Sequence, residues 1–155
     1  MAKQTPESRL TELGLVVPEV PTPVASYVPA VRTGDLVYTA GQLPMVGGEL
    51  PRTGKVGAEV SPQEAKELAA RCALNAVAAI RAEVGDLSAV RRVVKVVGFV
   101  ASAPDFTGQP AVVNGASELL GAVFGEAGVH ARSAVGVAVL PLDAPVEVEV
   151  IVEVT

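Results

Sequence analysis

Residues 131–153, ARSAVGVAVLPLDAPVEVEVIVE, constrain the fold more than any other stretch, because almost every second position is β-branched. By parity the first arm sets Ser133, Val135, Val137 and Val139 on one face, and Arg132, Ala134, Gly136 and Ala138 on the other. The second arm sets Val146, Val148, Val150, Val152 and Val154 against Glu147, Glu149, Ile151 and Glu153. Such alternation marks strands with one face on an apolar core, and the valines are expected to be that face. The opposite face then carries an arginine, three glutamates and otherwise mostly small side chains. Small residues let another body come close, and charges on a sheet face need partners or a ligand. Function is expected there.

A chain of 155 residues is long enough to bury a core as one domain. Its aromatics are two tyrosines and three phenylalanines, so that core must be built from Val, Ala and Leu. No apolar run approaches the roughly 18 residues of a membrane span, and Lys95 interrupts the best candidate, 93–101. The opening MAKQTPESRL lacks the apolar segment of a secretory leader. Cys72 is the single cysteine, which excludes an internal disulfide and fits a reducing compartment. A cytoplasmic protein is expected. The net charge of −5 argues against a nucleic-acid partner, since phosphate backbones are bound chiefly by Lys and Arg. Arg91, Arg92 and Lys95, the densest basic stretch, read as the solvated start of a strand.

Residues 1–23 read as an N-terminal arm: a short helix docked by Leu10, Leu13 and Leu15, then an extended connector set by Pro18, Pro21 and Pro23. Residues 24–155 read as a single domain. Residues 26–32 and 35–40 suggest a hairpin about Thr33 and Gly34. A glycine-rich loop follows; its Thr53-Gly54-Lys55 lacks the spacing of a phosphate loop. Ser61-Pro62-Gln63-Glu64 opens a helix with a cap, a first-turn proline and a capping-box glutamate, and Gly85 closes it. Residues 90–102, apolar on both parities after Lys95, suggest a central strand covered on both sides. A second helix is expected over 110–124, where Gly115 and Gly121 hint at close packing. The order is ββαβαββ, an α+β fold with a mixed sheet and two helices on one face.

Chemistry is narrowed mostly by exclusion. His130 and Cys72 are the only soft ligands, which is too few for a zinc site. No G-x-S-x-G elbow accompanies His130, and it reads as a loop residue. Cys72 falls on the apolar face of its helix, as a small buried thiol would. Arg132 and Glu147 remain. Arg132 has Ala134 and Gly136 beside it, leaving open space around a planar fork that suits a carboxylate. A carboxylate such as Glu147 could hold and polarise a water. The short connection 140–145 makes the two strands antiparallel and separates these residues by on the order of 20 Å along the sheet. They cannot share a pocket within one subunit, so a second chain must complete any common site.

The chain resembles the RidA/YjgF family of imine and enamine deaminases over most of 24–154. The resemblance rests on Tyr27, the segment YTAGQLP at 38–44, Asn75, Val94-Lys95 through Phe99-Val100, Asp105-Phe106 and Asn114. Above all it rests on Ala131-Arg132-Ser133, followed by Leu140-Pro141 and Val146-Glu147-Val148-Glu149. It implies a chorismate-mutase-like fold and a homotrimer with clefts between subunits. It also implies hydrolysis of 2-imino acids, formed from enamines such as 2-aminoacrylate, to 2-oxo acids and ammonia. Arg132 would clamp the substrate carboxylate and Glu147 would orient the attacking water. Tyr27 would wall the pocket, Asn114 would line it, and Gly41 and Ala134 would offer backbone N–H groups. No metal or organic cofactor is implied. The arm, the loop 45–56 and the insertion 107–110 mark a divergent, longer subgroup. Competing expectations are an RNA-cleaving translation inhibitor and a non-catalytic trimer that binds small carboxylates.

Overall fold

The computed structural model describes residues 3–155. In chain order the elements are α1 (Pro6–Glu12), β1 (Ala30–Thr33), β2 (Leu36–Thr39), α2 (Pro62–Val84), β3 (Val90–Ala101), α3 (Gln109–Phe124), β4 (Ala131–Val137) and β5 (Val146–Val154). The strands form one sheet in the order β1-β2-β5-β3-β4. Neighbours are antiparallel except β3 and β4, which run parallel across the α3 crossover. With α2 and α3 on one face, this is the expected α+β arrangement.

The core face of β5 is as its alternation predicts. Its five valines, Val146 through Val154 at every second position, are each 1% exposed or less. Burying a valine completely contributes about 1.5–3 kcal/mol relative to leaving it in water, so these five side chains anchor the strand's register. Above them α2 presents Ala65, Ala69, Cys72, Ala76 and Ile80, all buried. Its start is also as expected: the Ser61 hydroxyl accepts from the Glu64 N–H at 3.1 Å, and Gly85 ends the helix at φ 85°. The Glu64 carboxylate does not close a capping box; it lies 3.3 Å from Arg52 Nε.

The first arm of the terminal repeat is oriented opposite to expectation. β3 separates β4 from β5, and its register sets Arg132 beside Val96, Ala134 beside Gly98 and Gly136 beside Val100, all on the helix side. Val135 pairs with Phe99 on the open face and is 42% exposed. Alternation shows that two faces differ but not which one is covered. β4 is an edge strand under α3, where a Cβ on Gly136 would lie 2.7 Å from Gln109 Nε2. Small residues fit in that gap and valines do not. β3 is likewise central but covered on one side only: Val96 and Val100 are fully buried, whereas Lys95, Val97 and Phe99 are half-buried on the open face. In the arm, Leu10 is buried and Leu15 packs on the core, but Leu13 is 47% exposed and does not dock.

Of the two glycines inside α3, one reports close packing. A Cβ on Gly115 would run into the Lys66 carbonyl of α2, while one on Gly121 would meet nothing within 4 Å. Gly115→Ala is therefore expected to lower unfolding stability by about 1–3 kcal/mol through overpacking. Gly121→Ala should raise it by up to about 1 kcal/mol through helix propensity. Denaturant titrations of the two variants check this, and equal effects of the same sign would contradict it.

Candidate active site

The site residues expected from the sequence fall into two clusters on opposite faces of the sheet. The first surrounds Glu147, the second residue of β5, whose register partner on β3 is Phe99. Its carboxylate points to the open face and is only partly exposed. Burial pushes its pKa above the ordinary carboxylate value, and Glu149, next on the same face, adds repulsion. Gly41 lies directly against it, because Gln42 exchanges both backbone hydrogen bonds with Val148, at 2.8 and 3.0 Å. A Cβ at position 41 would sit 2.6 Å from Glu147 Oε2, so the close approach requires glycine. Tyr27 comes from the bend before β1, where its hydroxyl accepts from the Val24 N–H at 3.3 Å. Tyr27, Gly41 and Glu147 line a common cavity of about 280 Å³.

The second cluster surrounds Arg132. The space that its small neighbours leave is filled by α3 of the same chain. Arg132 Nη1 donates to Asn114 Oδ1 at 2.8 Å and to Ser117 Oγ at 3.1 Å, and Nη2 donates to the Pro110 carbonyl at 3.0 Å. Residues 110, 114 and 117 recur at helical spacing, so one stripe of α3 holds the whole guanidinium. Ser117 Oγ also lies 2.9 Å from His130 Nε2, and His130 Nδ1 lies 2.6 Å from the Gly128 carbonyl. A carbonyl can only accept, so Nδ1 donates to Gly128, and Nε2 faces the Ser117 hydroxyl. Ser117 then accepts from Arg132. Sequence reasoning missed Ser117 and left His130 as a plain loop residue; the available signal was the i, i+4, i+7 run Pro110, Asn114, Ser117. Ala134 packs against the core beneath α3.

The fork keeps donors to spare. Of five guanidinium donors three are engaged, which leaves Nε–H and one N–H of Nη2. Donors of this kind suit a carboxylate. Arg132 and Glu147 themselves are not brought together. Register places them three residues apart along the sheet and two strands apart across it, on the order of 14 Å, and on opposite faces. The expected separation along one face is thus replaced by a stricter barrier, the sheet itself. Among the described residues no group of three His, Cys, Asp or Glu side chains could hold a metal ion. Cys72 is fully buried, and desolvation raises its thiol pKa. No helix among the described residues is long and apolar enough to cross a membrane.

The family model described as Endoribonuclease L-PSP matches residues 18–154. The chain belongs to this family, the RidA/YjgF family, and shares the chorismate-mutase-like fold of its members. More particularly, it is 46% identical over 149 residues to Protein TCP17 of Trypanosoma cruzi, covering 94% of this chain and 92% of that one. It is 36% identical over 133 residues to the 2-iminobutanoate/2-iminopropanoate deaminase of Escherichia coli K12, covering 84% and 89% of the two chains. The crystal structure of Atu1372 from Agrobacterium tumefaciens, described as of unknown function, superposes with a TM-score of 0.90 at 49% identity. That match covers 97% of this chain and 92% of the other. The named deaminases among its relatives place hydrolases within the family.

The raised carboxyl of Glu147 has a consequence for stability. The folded chain holds this proton more tightly than the unfolded chain, so ionising Glu147 as pH rises past the ordinary carboxylate range costs folded-state stability. Glu147→Gln removes that cost. The variant is expected to melt higher than the parent near pH 7, with the difference vanishing below about pH 4. Paired thermal melts at matched concentration test this, and a gap that widens in acid contradicts it.

Proposed function

We propose that this protein hydrolyses 2-imino acids to 2-oxo acids and ammonia in clefts between the subunits of a homotrimer. The observation that carries the reading is the division of the site. A carboxylate clamp and a water-activating carboxylate are each pre-built, yet a sheet stands between them within one chain. A second copy joins them. Support for such contact comes from the open sheet face, where Val31 is 54% exposed and Tyr38 and Val135 are each 42% exposed. An uncovered apolar sheet face of this kind favours association.

In the joined cleft the free donors of Arg132 bind the substrate carboxylate, while Asn114 and Ser117 keep the fork in place. The imine carbon comes to rest over Glu147 and Gly41. A protonated imine is already electrophilic, so the protein must position a water and move a proton. Glu147 accepts a proton from the water as oxygen bonds to carbon, giving a carbinolamine. The same carboxyl then gives the proton to nitrogen, the C–N bond breaks with its electron pair leaving on ammonia, the carboxylate takes the hydroxyl proton as the carbonyl forms, and the ammonia carries that proton away as ammonium. A carboxyl whose pKa lies above the usual range suits this two-way role near neutral pH. Tyr27 walls the cleft, and the backbone N–H groups of Gly41 and Ala134 orient the substrate. The net charge of −5 and the pairing of Arg91 with Glu153 at 3.4 Å give the RNA-cleaving alternative no support.

Imines generated in situ by an amino-acid oxidase provide the assay, read as 2-oxo acid and ammonia release above the spontaneous rate. Arg132→Ala is expected to lower kcat/KM by about a hundredfold, since truncating one partner of a buried charge pair costs 2–5 kcal/mol. Equimolar Arg132→Ala and Glu147→Gln chains, unfolded and reassembled together, should recover about a quarter of the parent activity, because random cyclic assembly restores one cleft in four. No recovery in correctly assembled mixtures contradicts a shared cleft. Carboxylate binding without turnover of any imine would instead identify a non-catalytic binding trimer.

A further inference from the structure

The 280 Å³ cavity beside Glu147 owes one wall to the chain segment between α1 and β1. Pro21, Pro23 and Val24 form that wall, and Leu43, Met45 and Pro141 are among the rest of the lining. A separate groove on the open sheet face, lined by Val31 and Tyr38, shares only Tyr27, Gly41 and Glu147 with this cavity. Glu147 therefore stands where two spaces meet. One lies on the face that a neighbouring subunit would cover, bringing its Arg132. The other is roofed by the chain's own N-terminal segment and is apolar, with Glu147 the single charged residue in its lining.

We propose that this roofed cavity receives the substrate's side chain, so that the preferred substrates are 2-imino acids with branched or longer aliphatic side chains, such as that corresponding to leucine. The inference rests on the deaminase reading and adds the substrate class to it. Size supports it: at about 30 Å³ for a water-sized group, a single methyl fills only about a tenth of 280 Å³, whereas a four-carbon side chain fills about two-fifths of it. Charge supports it too, because acidic side chains would face Glu147 with no cation in the lining. The wall is also fixed in place. Leu10 is buried and the Leu87 N–H donates to Glu7 Oε1 at 2.9 Å ahead of the wall, and β1 pairs with β2 behind it. The prolines between these anchors have φ set in advance, so little order is lost on binding.

The test compares kcat/KM for imines generated from leucine and from alanine, in the parent and in Val24→Asp, an exposed position where substitution leaves the core intact. Each buried methylene is worth about a fourfold gain, so the parent is expected to favour the leucine imine by on the order of tenfold or more. Val24→Asp should cut that ratio by about tenfold, since it sets a charge in the apolar wall. Acceleration of both imines with a ratio near one, or a ratio that Val24→Asp leaves unmoved, overturns the side-chain cavity while the deaminase reading stands. No acceleration of any imine overturns both.

Discussion

Burial of one face of β5 governs the rest of the molecule. Once Val146, Val148, Val150, Val152 and Val154 are sealed beneath the helices, period-two geometry leaves Glu147 and Glu149 no place but the open face. A one-residue slip would bury both glutamates and expose the valines, so the register is specified by a large difference in free energy. The partly desolvated carboxylate follows from the same constraint. It lies beside Phe99 and Gly41 because β5 is hydrogen-bonded to β3 on one side and to Gln42 on the other.

Arg132 obeys the opposite demand. β4 runs at the sheet edge beneath α3, and its side chains facing the helix must be small or long enough to reach past it. Arg132 does the latter and meets three acceptors on one helical stripe. Holding the fork in one orientation lowers the entropy that a ligand of the free donors would have to overcome. Ser117 extends the chain of hydrogen bonds to His130, whose Nδ1 faces the Gly128 carbonyl. The orientation of Arg132 is therefore supported by residues beyond those it touches.

The sequence was most legible where one physical cause acts alone. β5, α2 and the cap at Ser61 answer to hydrophobic period and local chemistry, and they stand where those signals put them. β4 shows the limit. Its alternation is as clear as that of β5, yet its valine face is open, because the covering layer belongs to the tertiary arrangement and not to the strand. The same blind spot made the room beside Arg132 look free, when α3 fills it. Tyr27, Gly41 and Glu147 do converge, and so do Arg132 and Asn114, but the residues linking Arg132 to His130 could be seen only as a spacing on α3.

The N-terminal segment follows the same logic. Read alone, its prolines describe an extended connector. In the structure the connector is held at one end by Leu10 and Glu7 and at the other by β1, and its middle lines the cavity beside Glu147. A tether fixed at both ends, with proline removing much of its freedom, acts as a wall. Arg132 and Glu147 sit on strands, whose positions the core dictates, while the wall of the cavity comes from a connector outside the sheet and its helices. On the proposed reading, that division would let substrate preference change without disturbing the register that places Glu147.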